Sequence, residues 1–535
     1  MMVQGYAKWV SPSRWERAPF EMVLHKVGHQ RKIKQRDYLT SGNIPVIDQG
    51  EVFIGGYTND EAAIVALPPP FVIFGDHTRQ IKLVSFRFAP GAEGVIILKP
   101  EPGIETKLAY YFLQALVHFI PDNGYARHFQ FLRKLEFPVP PLVEQRAIVA
   151  KIEELFSELD KGIEQLQAVK QQLKQYRQAV LKAAFEGKLT AKWRSEQQAA
   201  GNLPDADELL EQIKKAREER YQQQLQEWKQ AVAEWEAAGG KESGRRKPMR
   251  PSKLKSIPAP AQAEMPFAYT MPRGWCWIRV GDLTLGVEYG TSKKSSDEGR
   301  YPVLRMGNIQ DCRFDWTDLV FSNDVEEFAK YKLRMNDVLF NRTNSPELVG
   351  KTAVFKGERE ALFAGYLIRI NQIDSIVDAD YLNFYLNSVF ARQYGSKVKT
   401  DGVNQSNING TKLVAYPFPY CCMDEQRAIV SEVESRFSVL EVLDRAIDEG
   451  LRQAETLSQS ILKKAFEGRL LNEAELAAVR NDPEYEPADK LLKRIQAKRG
   501  EDMQPSRTRR TRITTRRKTV RRYGEDIEKT VNEAR

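Results

Sequence analysis

EQRAIVAKIEELFSELDKGIEQLQAVKQQLKQYRQAVLKAAFEGKL, residues 144–189, decides how this chain folds, because it occurs twice. The second copy, residues 425–470, reads EQRAIVSEVESRFSVLEVLDRAIDEGLRQAETLSQSILKKAFEGRL. The copies lie 281 residues apart, align without a gap and are identical at 19 of 46 positions, gathered at the ends as EQRAIV and AFEG(K/R)L. Matched ends at a constant offset mark a duplicated element, and a repeat of this kind governs every other assignment.

Both copies are patterned as helices. In the first, Ile148, Ile152, Leu155, Leu159, Ile163, Leu166, Leu173, Tyr176 and Val180 step mostly by three and four, which puts them on one face close to a heptad seam. The second uses Ile429, Val433, Phe437, Leu440, Ile447, Leu451, Ala454, Leu457 and Ile461. Gly187 supplies a stop, and Gly450 weakens the second centre by ~1 kcal/mol relative to Ala. A helix of this length spans roughly 64 Å. The polar remainder, Lys170-Gln171-Gln172 and Lys174-Gln175, argues against burial in one large core. Each helix therefore needs a coiled-coil partner, and the other copy is the obvious one.

Outward from the repeat, residues 1–141 read as a mixed α/β region. Strand-like apolar runs at 44–47, 71–74, 81–84 and 94–98 are separated by turn chemistry such as Ser41-Gly42-Asn43. A helix is expected at 107–118, and Phe137-Pro138-Val139-Pro140-Pro141 should be extended and stop before the long helix. Residues 142–190 hold the first helix copy. Residues 191–264 are a charged helical insert and linker: 207–237 is Gln-rich and helix-prone, and 239–262 carries Gly-Gly, a basic run and Ile257-Pro258-Ala259-Pro260. Its charges read as solvated linker. Residues 265–421 form a second α/β region, 422–471 the second helix copy, and 472–535 a short helix and basic tail. Asp489-Lys490-Leu491-Leu492 with Ile495 and Arg499 matches Asp207-Glu208-Leu209-Leu210 with Ile213 and Arg217. The unit used twice is thus globular region, long helix, short helix. The tail, residues 505–522, holds nine Arg or Lys and no acid, a composition that predicts disorder.

Composition narrows the classes. A chain of 535 residues implies several domains. Eighty-one Lys plus Arg against 72 Asp plus Glu, a net of +9, mildly favours an anionic partner such as nucleic acid. Four cysteines, Cys276, Cys312, Cys421 and Cys422, make no framework and no metal-ligand spacing, as in a reduced cytoplasmic protein. No stretch reads as a signal peptide or a membrane span.

Motifs for chemistry fail on inspection. Pro68-Pro69-Pro70-Phe71 lacks the amide or carboxylate that an amino-methyltransferase needs against its target amine. Ser345-Pro346-Glu347-Leu348-Val349-Gly350-Lys351-Thr352 ends like a phosphate-binding loop, but its first glycine is Ser345, and Pro346 stiffens the segment that must wrap the phosphates. His25 and His29 have no further ligands to complete a metal set. The chain reads as a binder.

Two divergent globular regions, each followed by a long helix that begins P-P-L-x-E-Q or a variant and ends A-F-x-G-x-L, resemble the specificity (S) subunit of type I restriction–modification enzymes. The resemblance covers nearly the whole chain. The second region looks like a family target-recognition domain through Tyr289-Gly290-Thr291-Ser292-Lys293-Lys294-Ser295, Pro302-Val303-Leu304-Arg305-Met306-Gly307-Asn308-Ile309, Gly350-Lys351-Thr352 and Gly402-Val403-Asn404-Gln405-Ser406-Asn407-Ile408. The first resembles another target-recognition class through Phe74-Gly75-Asp76-His77-Thr78-Arg79 and Gly124-Tyr125-Ala126-Arg127-His128-Phe129. Cys421-Cys422 departs from the usual Pro-Leu, and the insert and tail exceed the family core.

The resemblance implies an α+β protein: two mixed α/β target-recognition domains separated by two long antiparallel helices forming a coiled coil, a pseudo-two-fold internal repeat. It implies a non-catalytic subunit whose two domains each read one half of a bipartite, asymmetric site in double-stranded DNA, with the helices setting the spacer. The implied partners are two modification subunits, which use S-adenosylmethionine to methylate adenine, and two restriction subunits, which use ATP and Mg. No cofactor is expected on this chain. Two half-sites about one turn (~34 Å) apart suit such a protein. Base readout favours Arg or Lys for guanine and Asn or Gln for adenine. Thr291, Ser292, Lys293, Lys294, Arg305, Asn308, Arg342, Asn344, Gln405 and Asn407 are the candidates in the second domain, and His77, Arg79, Arg127, His128 and Gln130 in the first. The alternative for each is a surface polar residue or a phosphate contact. Asp76 fits better as a residue that orients Arg79 or a loop. Two other classes stay open: a coiled-coil protein-interaction scaffold without sequence-specific DNA binding, and an enzyme with an unrecognised site.

Overall fold

The computed structural model describes residues 11–28, 31–91, 94–117, 119–120, 127–243, 246–251, 257–265, 271–403 and 405–503. The basic tail, His29, His118, Asn404 and residues 124–126 of the quoted motifs lie outside them. The chain forms two compact units that ignore sequence order: residues up to Leu166 with those from Glu449 onward, and Gln167–Asp448. The cut passes through both copies of the repeat, so each unit owns one half of each long helix.

The long helices are Leu142–Phe185 and Met423–Phe466, each 44 residues. Both end the same way. Gly187 and Gly468 sit at φ +68. Lys188 N donates to Ala183 O at 2.9 Å and Arg469 N to Lys464 O at 2.9 Å, the backbone closure of a Schellman cap. Within the first unit the start of one helix runs antiparallel to the end of the other: Ile148 and Ile152 share a core with Ile461, Leu462 and Phe466. Within the second, Val180, Leu181 and Phe185 share a core with Ile429, Val433 and Phe437. Towards the middle the seam is shallower on the first helix, with Leu155, Leu159, Ile163, Leu166 and Leu173 half-buried, while Leu440, Ile447 and Ala454 of the second helix stay buried. Tyr176 and Leu457, expected on the seam, are 48% and 50% exposed, because a pair of helices has only one covered side there.

The two globular regions differ in sequence but share one sheet plan. In the first unit a four-stranded antiparallel sheet runs Leu24–Lys26, Val95–Pro100, Phe71–Gly75, Ile81–Val84. In the second unit the order is Thr284–Tyr289, Leu367–Gln372, Val338–Asn341, Thr352–Val354, which is the same path along the chain. Each region adds a three-stranded sheet with one antiparallel and one parallel pair, centred on Ile44–Ile47 and on Tyr301–Leu304. The first region therefore is built on the same scaffold as the second, whatever its divergence in sequence.

Central strands are buried on both faces. Val72 and Phe74 face the helices while Phe71 and Ile73 face a second cluster with Ile47 and Val84. In the second unit Val338 and Phe340 face the helices, and Leu339 faces Phe363 and Leu367. Double burial explains why these strands read as unbroken apolar runs. A two-stranded ribbon closes each region beside its long helix: Glu16–Pro19 with Glu136–Val139, and Cys276–Arg279 with Pro417–Tyr420.

The insert is more than a solvated linker. Its helix, Ala206–Ala237, starts at a capping box on Asp205 and buries Leu209 and Ile213 in the core of the second unit. Arg217 Nη1 reaches Asp282 at 3.0 Å. In the first unit Leu491 and Ile495 of the helix Ala488–Met503 are buried likewise, and Arg499 donates to Glu21 O. Leucine and isoleucine four apart dock the short helix in both units. Among the described residues no helix is long and apolar enough to cross a membrane.

Candidate nucleic-acid interface

In the second unit the chain leaves the central strand Val338–Asn341 at Arg342. Arg342 N donates to Tyr366 O at 3.0 Å, and Arg342 O accepts from Ile408 N at 2.9 Å. Thr343 and Asn344 then pair with Asn407 and Ser406, and Asn407 Nδ2 donates to Thr343 Oγ1 at 2.8 Å. The Arg342 guanidinium lies 5.0 Å from the centre of the Tyr289 ring, and its Nη1 donates to Gly365 O at 3.2 Å. Tyr289 Oη accepts from Gly410 N at 2.8 Å. Four stretches remote in sequence thus converge: the segment from Tyr289, Arg342–Asn344, Gly365–Tyr366 and the segment before Gly410. Tyr289 and Tyr366 remain 42% and 51% exposed beside the arginine. Flat aromatic faces, a forked cation and amides together can grip bases and backbone.

The first unit repeats this junction with other side chains. The chain leaves Phe71–Gly75 at Asp76, whose N donates to Gly94 O at 2.7 Å and whose O accepts from His128 N at 2.9 Å. These are the two bonds that Arg342 makes. Asp76 Oδ1 accepts from Phe129 N at 2.8 Å, so the carboxylate orients the 127–130 loop. His77 N donates to Gln49 Oε1 at 3.2 Å, and Thr78 Oγ1 donates to Gln49 O at 2.5 Å. Arg79 adopts φ 61 and its Nη1 donates to Ile120 O at 3.1 Å. It lines a cleft of about 390 Å³ with Thr78, Gln80 and Gln114.

The candidates fall into three groups. Ser292, Lys293, Lys294, Gln405, Arg127 and Gln130 are exposed, and Arg305, Arg342, Asn344, Asn407, His77 and Arg79 half-buried. Three others are closed in this conformation. Thr291 is buried and its hydroxyl donates to Glu327. Asn308 is buried, accepts from Arg305 N at 2.8 Å and donates to Asp318 O at 2.8 Å. His128 is buried with Nδ1 2.8 Å from Asp76 O. Each braces a turn, a task that sequence does not distinguish from display on a surface. Arg305 also stands apart, paired with Asp318 at 3.1 Å.

Lys293 is held by an acidic neighbour. Its Nζ lies 2.6 Å from Asp324, and that hydrogen bond raises the lysine pKa and lowers the aspartate's. Lys82 faces inward instead. It is buried, donates to Val52 O at 2.6 Å and Asp48 O at 3.0 Å, and burial pulls its pKa down. It fixes the turn that carries Gln49. Sequence reasoning misses Gln49, Lys82, Gly365 and Tyr366; the one signal that could have found any of them is the aromatic of Ala364-Gly365-Tyr366 at a strand junction.

The look-alike motifs have structural tasks. Thr352 is fully buried and donates to Asn383 Oδ1 at 2.7 Å, so its hydroxyl is spent. The carbonyls of Pro68 and Pro70 accept from Lys99 Nζ at 2.8 and 2.9 Å. His25 pairs with Glu101 at 3.1 Å. Among the described residues no cluster of His, Cys, Asp and Glu is placed to hold a metal.

Two regions of one sheet plan, each carried by one half of both helices of a duplicated pair and each presenting the same loop junction, define an internally doubled protein. Comparison with known proteins gives the class. Residues 12–171 match the family described as type I restriction modification DNA specificity domain. The putative type I restriction enzyme MjaX specificity subunit of Methanocaldococcus jannaschii is 27% identical over 218 residues, 40% of this chain and 51% of that protein. The EcoKI specificity subunit of Escherichia coli K12 is 24% identical over 341 residues, 63% of this chain and 58% of that protein. The chain thus spans between half and three-fifths of the length of these two relatives. A chain from a solved structure concerned with assembly and conformational transition of the type I R-M system superposes with a TM-score of 0.54 at 17% identity, covering 86% of this chain and 99% of that one. In domain family and in relatives the chain is similar to type I restriction–modification specificity subunits, and in fold it is similar to a chain of a type I R-M system.

Proposed function

We propose that this chain is the DNA sequence-recognition subunit of a type I restriction–modification complex. Residues 1–141 and 265–421 act as target-recognition domains, each reading one half of a bipartite, asymmetric site. The observation that carries the reading is the repeated loop junction. Asp76 and Arg342 occupy equivalent places in two sheets of the same plan, hold equivalent neighbouring loops and are surrounded by different side chains. Equivalent position with unlike chemistry suits two readers of unlike half-sites.

The chain supplies recognition and not catalysis in this reading. Two modification subunits bring S-adenosylmethionine and methylate adenine, and two restriction subunits bring ATP, Mg and cleavage, in the cytoplasm and without a membrane. Methylation needs the base outside the stack, so the exposed aromatics and cations hold opened DNA while the partner acts. Mapping methylated adenines in cells that carry this chain with its modification partner tests the proposal. A single bipartite motif is expected. Methylation scattered over unrelated sequences, or none that depends on this chain, refutes it.

A further inference from the structure

The repeat's matched first residues, Glu-Gln, do not face solvent: Glu144, Gln145, Glu425 and Gln426 are all buried. The glutamines make the same three bonds. Gln145 Nε2 donates to Pro140 O and Gly103 O at 2.9 and 3.1 Å, and its Oε1 accepts from Glu105 N at 2.9 Å. Gln426 does so with Cys421 O, Ile376 O and Asp378 N at 2.9, 3.0 and 2.9 Å. Each glutamine ties its domain's sheet-covering helix to the start of the long helix.

The glutamates do the complementary work, and their cations come from different places. Glu144 accepts from Arg14 Nε at 2.9 Å and Nη2 at 2.7 Å, and the same Nη2 donates to Gly468 O at 3.1 Å. Glu425 accepts from Arg194 Nε at 2.9 Å and Nη2 at 2.6 Å, and that Nη2 donates to Gly187 O at 2.7 Å. In both units one guanidinium therefore joins the start of one long helix to the last turn of the other. A tryptophan immediately before the domain's closing ribbon flanks each arginine, Trp15 at 5.7 Å and Trp275 at 5.5 Å. Trp275 Nε1 also donates to Glu425 at 2.9 Å, and Thr190 Oγ1 donates to it at 2.8 Å. Arg14 belongs to the lead-in of the domain it holds. Arg194 lies on the helix Ala191–Ala199, outside residues 265–421, and the lead-in there carries Gly274 next to Trp275.

We propose that Glu144 and Glu425 are positioning residues. Each, through its arginine clamp, fixes the angle at which one recognition domain leaves the helix pair, and so the register in which that domain meets its half-site. This rests on the DNA-recognition reading above. The clamp is a three-way joint of helix start, helix end and domain ribbon. A buried carboxylate clamped by a forked cation at that joint leaves little angular freedom.

The test uses the complex with its modification partner, with methylated adenines mapped genome-wide for the unaltered chain, Glu425→Gln, Glu144→Gln and Arg194→Lys. Glu425→Gln should raise methylation at sites of altered spacer or degenerate second half-site by tenfold or more relative to the cognate site, while the half read by residues 1–141 stays strict. Glu144→Gln should give the mirror image. Arg194→Lys keeps the cation, loses the fork and should fall between. Hydrogen exchange of the same complexes supplies a readout independent of DNA. Glu425→Gln should speed exchange in residues 276–279 and 417–420 and leave residues 16–19 and 136–139 unchanged. Unchanged exchange in those ribbons, or motifs and spacers identical to the unaltered chain's in folded variants, overturns the proposal. Faster local exchange without any bipartite motif in the unaltered chain refutes the DNA-recognition reading instead, and the register role with it. Should Glu425→Gln fail to assemble, Arg194→Lys decides by the same two readouts.

Discussion

The glycines of the repeat should respond to alanine with different signs. Gly187 holds φ +68, and a Cβ there would lie 2.6 Å from Pro272 Cγ. Alanine in the left-handed region costs about 1–2 kcal/mol. Forcing a rigid proline ring aside adds about 1–3 kcal/mol of overpacking, so Gly187→Ala should destabilise the second unit by roughly 2–5 kcal/mol. Gly468 shows the same φ and the same 2.6 Å approach to Pro12 Cγ, so Gly468→Ala should do the same to the first unit. Gly162 lies mid-helix with nothing within 4 Å of where a methyl would sit, and alanine there should stabilise by about 1 kcal/mol. Gly450 falls between, since its Cβ would meet Leu166 Cδ1 at 3.2 Å and consume part of the propensity gain. Urea denaturation followed by circular dichroism gives the totals, and hydrogen exchange assigns each loss to a unit, because two units need not unfold as one. Equal signs for Gly187→Ala and Gly162→Ala would refute the close-approach argument.

The proposed function gives a second expectation, at the Arg342 junction. Arg342→Lys, which keeps charge but loses the fork and the stack on Tyr289, should relax one half-site by about 5- to 150-fold, the range of a lost bidentate base contact; relative methylation of single-base variant sites measures it. Leu209→Ala should cost about 2–5 kcal/mol in the second unit, the usual range for a fully buried leucine, which denaturation of the same complex detects. Asp324→Ala removes the cap that accepts from Glu326 N at 3.0 Å and Glu327 N at 3.0 Å, and should lower the denaturation midpoint of the second unit at neutral pH. The sign with pH follows from the lowered Asp324 pKa. The carboxylate's contribution, first through Lys293 and then through the cap, is full above the ordinary value of 3.8 and is lost as pH falls through the lower folded value, so variant and parent should converge in acid.

How far the sequence discloses this structure depends on what a residue's neighbours are. The helices and the strands at 44–47, 71–75 and 81–84 are legible because their signal is local: an apolar face or an unbroken apolar run. The repeat of the short helix is legible through Leu209 and Ile213 against Leu491 and Ile495. The shared sheet plan is not, because strand pairing joins residues as remote as Val72 and Leu98 or Leu339 and Arg369, and dissimilar side chains satisfy it equally. The candidate sites are mixed for the same reason. Arg342, Asn344 and Asn407 meet in one place because two strands pair there. Thr291, Asn308 and His128 have the same chemistry as surface readers but spend it on Glu327, Asp318 and Asp76. Lys82 and Gln49 carry no motif, since holding a turn from beneath leaves no pattern along the chain.

The pattern of the duplication, matched at its ends and diverged between, now has a mechanical cause that bears on exchange of the two globular domains. The ends are fixed because Glu, Gln, Phe and Gly each meet the same kinds of partner in both units. The middles need only keep an apolar seam, so they are free to differ. The clamps are alike in geometry yet unlike in origin, and this makes the two domains unequal as modules. Replacing residues 265–421 leaves Glu425, Arg194, Thr190 and Gly187 behind, and the incoming domain must bring only a proline to meet Gly187 and a tryptophan to donate to Glu425, as Pro272 and Trp275 do. Replacing residues 1–141 removes Arg14, so the incoming lead-in must also bring an arginine to Glu144. An exchange of the second domain should therefore assemble with most donors that have the Pro and Trp. An exchange of the first should fail with donors that lack the arginine and recover when it is restored one residue before the tryptophan. Yields of soluble complex across such a set measure this, and equal tolerance at both positions would show that the clamp arginine is dispensable.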